Sequence, residues 1–335
     1  MKIALLGRHS NRTPIAYHSY SSILPGDIQL VPSIEEADAV VLGFEIDLLS
    51  LSEEQQELLA NRRDIRLLVI SEEPLWDTVW ASDYQSRVVQ LPTGIQYECY
   101  NHFNSSLFKF ERIPYFLTTN NHFLVRYRAM LQANSFVTAR EIEKHWSSAQ
   151  YKGAFFLERR DDRRYAVQGA DGEPLGLSFL RSSIAAKFYG LEGYLVTGKG
   201  WRAQGARQLS ADWHLEKLSV CKNNAAVLMA AENTYHCNYV TEKVFDSYAC
   251  LAVPLVYGGL GHRYSELLPN ESYVNLRGLT TDKVFEAVET IVFDSDFIAR
   301  YQSDIQVLID QTLTAENLAM ERHRVVSELA SIFRQ

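Results

Sequence analysis

The segment 225–259 limits the fold of this chain more than any other. Ala225-Ala226-Val227-Leu228-Met229-Ala230-Ala231 is apolar and bounded by polar residues. A polar loop and a short helical pattern come next, then Val253-Pro254-Leu255-Val256-Tyr257 and the Gly258-Gly259 turn. Short apolar runs bounded by turn residues read as buried strands, so the order is strand, loop, helix, strand, as in a βαβ unit of a parallel sheet. Thr241 is placed to cap the helix, with Glu242 and Lys243 in its first turn. A helix N-terminus at the carboxyl end of a parallel strand attracts anions through its free N–H groups and its dipole. A lysine there adds a point charge for phosphate, and a glutamate can accept hydrogen bonds from sugar hydroxyls. This chemistry suits a sugar nucleotide diphosphate.

The first half repeats the alternation. Lys2–Leu6, 39–44 and Arg66–Ile70 read as strands, and Ser52 opens a helix with Gln55 placed to close a capping box. Residues 151–157 read as the opening strand of a second domain. A boundary is therefore expected near 147–150, giving domains 1–150 and 151–312. From 313 to 335 the apolar residues Leu318, Val325, Leu329, Ile332 and Phe333 form one helical stripe, expected to dock on the first domain. The fold class is α/β, with two Rossmann-like domains facing across a cleft.

The formal charge of −8 argues against nucleic acid as the main partner. No apolar run reaches the length of a membrane span. Residues 1–8 read as a first strand and not as a signal peptide. Cys99, Cys221, Cys237 and Cys250 show no paired spacing and read as reduced thiols of a cytoplasmic protein.

The run Glu232-Asn233, five residues, Tyr239-Val240-Thr241-Glu242-Lys243, then a helix and Val253-Pro254-Leu255-Val256-Tyr257-Gly258-Gly259, resembles the donor-site signature of the bacterial α1,3/4-fucosyltransferases of glycosyltransferase family 10. Ala230-Ala231 departs from the aromatic usual before the glutamate, and the loop is one residue longer than in common bacterial members. The resemblance implies a GT-B fold, with the acceptor site in the N-terminal domain and the donor site in the C-terminal domain. It also implies an inverting transferase of the bacterial cytoplasm, near the inner membrane and peripherally associated with it. Its substrates would be GDP-fucose and an oligosaccharide or glycan acceptor, with no cofactor and no metal ligand set.

Donor binding then falls to Arg181, Glu232, Asn233, Tyr239, Thr241, Glu242 and Lys243. Lys243 and Arg181 are the cations for the leaving diphosphate, since an arginine can form two parallel bonds to phosphate oxygens. Arg181 heads a stretch through Gly190 similar to the family's arginine-bearing segment, with an insertion expected within 193–211 and Arg202 as a rival. Glu242 is expected on the donor ribose. The general base should be a carboxylate of the first domain. Ser71-Glu72-Glu73-Pro74 ends a strand with two carboxylates in its mouth and is similar to the family stretch holding the proposed base. Glu72 is preferred over Glu73, Glu98 and Glu111, and burial is expected to raise its pKa.

Acceptor contacts are sought among Tyr97, Tyr100, His102, Phe103, Asn104, Tyr115, Asn120, Asn121 and His122, with Tyr115, Asn121 and His122 foremost. Aromatic faces and amides suit a glycan and suit a core equally. Asp294-Ser295-Asp296 imitates a metal-diphosphate triplet but lacks a preceding strand and reads as a helix cap. The glycine turn 258–261 lacks a dinucleotide fingerprint and reads as a close backbone approach to the donor. Two other functions fit the same residues: a transferase using another GDP-sugar, and a silent nucleotide- or glycan-binding relative.

Overall fold

The computed structural model describes residues 1–62, 64–90, 94–170, 172–201 and 212–335. Arg202 lies outside the described residues. Two compact units emerge: unit 1 is Met1–Asn121 with Glu316–Gln335, and unit 2 is His122–Ala315. The division falls ahead of the expected boundary because the helices Asn121–Asn134 and Ala139–Ser148 pack on unit 2. Trp146 Nε1 donates to the Leu251 carbonyl at 2.7 Å, and Asn134 Nδ2 donates to the Tyr248 and Ala249 carbonyls.

Among the described residues, unit 1 holds a sheet of strands β1 (Lys2–Leu6), β2 (Gln29–Val31), β3 (Ala39–Leu42), β4 (Arg66–Ile70), β5 (Val88–Gln90) and β6 (Gln96–Tyr100). Their order is β2-β1-β3-β4-β6-β5, parallel except for β5 against β6. β3 and β4 alternate between two cores, as the pleat requires. Ala39, Val41, Leu68 and Ile70 face one side, while Val40, Leu42, Leu67 and Val69 face the other. The first side is sealed by the helix Ala315–Arg334, whose Val325, Val326, Leu329, Ile332 and Phe333 join that core. Each such side chain contributes about 1.5–3 kcal/mol by burial.

Unit 2 holds β7 (Tyr151–Phe156), β8 (Tyr194–Thr197), β9 (Ala225–Met229), β10 (Val253–Val256) and β11 (Val274–Asn275). The order is β11-β10-β9-β7-β8, all parallel. β9 and β10 are buried along their whole length, which explains their unbroken apolar runs.

The chain reverses its direction of travel across the sheet between β1 and β3 in unit 1, with a second reversal at the antiparallel β5–β6 pair, and between β7 and β9 in unit 2. Open α/β sheets bind ligands outside the carboxyl ends of strands at such switch points. Asp294 caps the helix Ser295–Val307, accepting from Phe297 N at 2.7 Å. Among the described residues, no helix is long and apolar enough to cross a membrane, and no cluster of three His, Cys, Asp or Glu side chains could hold a metal. All four cysteines are free thiols.

Candidate functional site

In unit 2, β9 ends at Met229 and the chain runs through Glu232 and Asn233 into the loop that starts the helix Glu242–Ala249. Glu232 is buried and organises this loop. Its carboxylate accepts the Thr241 N–H at 2.7 Å, the Thr241 hydroxyl at 2.8 Å and the Lys243 ammonium at 2.7 Å. Thr241 therefore does not cap the helix with its side chain, as the sequence suggests; the hydroxyl goes to Glu232, a charged and stronger acceptor. Glu242 is buried, its carboxylate 3.6 Å from Lys243, and Tyr239 is buried at the loop's end. Burial raises the pKa of Glu232, and Lys243 opposes that shift.

Arg181 belongs to the helix Ser178–Phe188 and is 4% exposed. Its guanidinium donates to the Asn233 side-chain oxygen, and its Nε has no hydrogen-bond partner among the described residues. Burial lowers its pKa, with Glu232 acting in the opposite sense. A buried guanidinium bonded to a neutral amide and holding a spare N–H is costly without an anion to receive it. The structure thus gathers Arg181, Glu232, Asn233, Tyr239, Thr241, Glu242 and Lys243 at the carboxyl end of β9, beside the switch point.

An open cavity of about 950 Å³ runs along the ends of β10 and β11, lined in part by Tyr257, Gly258, Gly259, Asn275, Arg277 and Glu173. Arg277 and Glu173 pair at 3.2 Å. The glycine at 259 serves a close approach different from the one expected. A Cβ there would stand 2.3 Å from the Tyr235 hydroxyl, so the turn makes room for a side chain of the β9 loop.

Behind this surface lies a polar network that the sequence does not announce. Asp246, fully buried, accepts from Lys217 Nζ at 2.7 Å and Tyr127 OH at 2.6 Å, and stands 2.7 Å from His214 Nε2. It ties three helices together, and the members lie too far apart in sequence to show any common period.

In unit 1, Glu72 lies just past β4 and is 5% exposed. Partners from distant parts of the unit surround it. Oε1 accepts from Arg12 Nε at 2.8 Å and Tyr17 OH at 2.7 Å, and Oε2 accepts from Tyr115 OH at 3.0 Å. Arg12 also donates to Glu73 at 2.8 Å. Burial opposes the charge of Arg12, but Glu72 and Glu73 outweigh it and hold the guanidinium above its ordinary pKa. Burial, reinforced by the charge of Glu72, pushes the Tyr17 and Tyr115 phenols well up, so both remain O–H donors at neutral pH. Tyr115 is thus part of the carboxylate's cradle, stacked on Tyr20, and offers no face to a sugar.

Arg12 and Tyr17 are missed by sequence reasoning, because single polar residues in the loop after β1 carry no periodic signal. Beside them, His9 Nδ1 lies 2.8 Å from the buried Asp47, and Trp76 stacks on Trp80 with ring centroids 4.0 Å apart. Gly7, at φ +85, and Gly43 let these loops meet: a Cβ on either would strike Asp47 or the His9 carbonyl at 2.5 Å or less.

The other candidates are dispersed. Asn121 closes unit 1 and accepts from Arg322 Nη1 at 2.8 Å, while His122 opens unit 2, its pKa lowered first by burial and then by Arg126. Tyr97, Tyr100 and His102 are buried. Glu98 is held by both Nη2 and Nε of Arg66 at 2.8–2.9 Å.

Comparison with known proteins agrees with the geometry of unit 2. The model of the C-terminal domain of glycosyltransferase family 10 (fucosyltransferase) matches residues 200–307. Alpha-(1,3)-fucosyltransferase C of Drosophila melanogaster is 35% identical over 74 residues, which span 22% of this chain and 17% of that protein's length. A crystal structure of an α1,3-fucosyltransferase with GDP-fucose aligns with 100% of this chain and 90% of its own, at 12% identity and a TM-score of 0.50. A crystal structure with GDP gives 11% identity and 0.49 over the same shares. The first of these likenesses shows the fold, two Rossmann-like units of the GT-B type. The signature loop assembled around Glu232 and Lys243 lies inside the segment 200–307 that is similar to the C-terminal domain of glycosyltransferase family 10.

Proposed function

We propose that this protein is an inverting fucosyltransferase, moving L-fucose from GDP-β-L-fucose to a hydroxyl of an oligosaccharide or glycan, in α1,3 linkage to a GlcNAc or Glc residue. The observation that carries this reading is Arg181: a buried cation with a neutral partner and a spare donor, in the unit that carries the family 10 likeness, beside Lys243. The fucosyltransferases that this chain resembles support fucose as the sugar and GDP as its carrier.

In the reaction the acceptor oxygen bonds to the anomeric carbon as the bond from that carbon to the β-phosphate oxygen breaks. The electron pair leaves with GDP. Unit 2 supplies Arg181 and Lys243, which stabilise the charge developing there. Lys243 exchanges part of its bond to Glu232 for a phosphate oxygen. Unit 1 supplies Glu72, which takes the acceptor's proton, with Glu73 as the neighbouring carboxylate. Glu242 receives the ribose hydroxyls, and Asn233, Thr241 and Tyr239 hold the loop in place. The single displacement inverts the anomeric centre.

The test is GDP release from GDP-fucose, measured with EDTA present over a panel of lactose, N-acetyllactosamine and related acceptors, beside Lys243→Ala. Acceptor-dependent release, lost in the variant, supports the transferase. Release from another GDP-sugar but not from GDP-fucose moves the assignment to that donor. Tight GDP binding with no turnover of any donor points to a silent nucleotide binder.

A further inference from the structure

Arg160 stands at the other lip of the unit 2 switch point. β7 ends at Phe156, and the chain that leaves it turns over the start of the helix Ser178–Phe188. The Arg160 N–H donates to Ser182 Oγ at 2.8 Å, and its Nη1 reaches Ser178 Oγ at 3.4 Å. Ser182 is the residue after Arg181 and Ser178 precedes it by one turn, so the backbone and guanidinium of Arg160 are both fixed to the turn that carries Arg181. The Asn233 carbonyl, which accepts from Leu177 N at 2.8 Å, belongs to the residue whose side chain receives Arg181. One short stretch of surface therefore joins the ends of β7 and β9 and the helix between them.

Burial lowers the pKa of Arg181, Glu232 opposes that, and the like charge of Arg160 adds to the lowering. Arg160 bonds to the Glu158 carboxylate at 3.1 Å, which is partly exposed and shared with Lys199 at 3.2 Å. No carboxylate is bonded to Arg181 among the described residues, and its Nε is spare. A fold that keeps like charges together at a strand end, one of them buried with a donor unused, is built for an anion bearing more than one charge.

We propose that Arg160 and Arg181 together grip the diphosphate of a nucleotide ligand, one from the β7 loop and one from the helix. This rests on the nucleotide-donor reading and adds a residue that neither the signature loop nor its resemblance assigns. Guanosine lacks the phosphates and GMP has one, so their affinities separate the grip on phosphate from recognition of the base.

The experiment is calorimetric titration of the full chain with GDP, GMP and guanosine, for the wild type, Arg160→Ala, Glu158→Gln and the exposed control Arg164→Ala. Arg160→Ala is expected to weaken GDP by about 10- to 100-fold, weaken GMP less, and leave guanosine unchanged. Glu158→Gln is expected to bind GDP as tightly as the wild type or more tightly, and Arg164→Ala to match the wild type. GDP affinity unchanged in Arg160→Ala overturns the inference. So does an equal loss for all three ligands, or a matching GDP loss in Glu158→Gln, since either makes Arg160 a structural partner only. A wild type that binds guanosine and GDP equally overturns this inference alone; one that binds neither overturns the nucleotide-donor reading with it.

Discussion

Unit 1 and unit 2 each bury a charge at the carboxyl end of a parallel sheet, and they treat it in opposite ways. Glu72 of unit 1 is complete: a cation and two phenols surround it. Arg181 of unit 2 is incomplete: its bonded partner is neutral and one donor is spare. A completed charge holds its own fold together, whereas an incomplete one stores a cost that a ligand can relieve. The contrast teaches which cluster is a binding site by construction and which is first a structural joint, available to chemistry once a substrate competes for its hydrogen bonds.

Substitutions can break the comparison. The largest loss of stability is expected where a completed buried network is opened. Lys217→Met removes the bonded cation from the buried Asp246, leaving it Tyr127 and His214, and should cost about 3–5 kcal/mol in chemical denaturation. Next comes Arg181→Met. It should lower kcat/KM for fucosyl transfer by about 10²–10³-fold while leaving the thermal midpoint unchanged or higher, because an unpaired buried charge is removed. A large fall in the midpoint would show that Arg181 is a structural joint too. Arg12→Met, the counterpart in unit 1, should destabilise by about 2 kcal/mol; the figure sits below that for Lys217 because Arg12 is one-third exposed and the tyrosines still serve Glu72. Tyr17→Phe, removing one donor, should cost about 1 kcal/mol.

The smallest effect sharpens the comparison through pH. Burial raises the pKa of Asp246, but Lys217 and His214 outweigh it and the net shift is downward. Asp212, hydrogen-bonded to Arg126, is lowered from 3.8 to about 2. A carboxylate depressed on folding contributes stability that is present above its unfolded pKa and lost as pH falls through the folded one. Unit 2 should therefore soften between about pH 4 and pH 2. Lys217→Met should flatten the part of that slope due to Asp246, measured as denaturation midpoint against pH.

The sequence made legible whatever was written locally. β3, β9 and β10 are unbroken apolar runs, and β1 and β4 are apolar after a first basic residue, because the central strands of their sheets are buried. The Ser52–Gln55 capping box forms as its spacing implies. The loop from Glu232 to Lys243 was legible because its members are near neighbours in the chain and resemble a known signature. Edge strands were not: β2 and β5 are short and largely exposed, so they carry no apolar pattern. The cradle of Glu72 was invisible because Arg12 lies 60 residues before it and Tyr115 lies 43 after it. The unit boundary was misplaced because the two helices before β7 look like the end of a domain in sequence, while their buried faces pack on unit 2.

The helix Ala315–Arg334 has a consequence for biogenesis. Unit 1 is interrupted in sequence by the whole of unit 2. During synthesis the first sheet leaves the ribosome with one face only partly covered, by residues such as Tyr20, Leu107 and Phe108, since Val325, Leu329 and Phe333 have yet to be made. Unit 2 can close as soon as its own strands emerge, whereas unit 1 waits through its synthesis with apolar surface open to water. That interval is when the nascent chain is most exposed to aggregation and most in need of a chaperone.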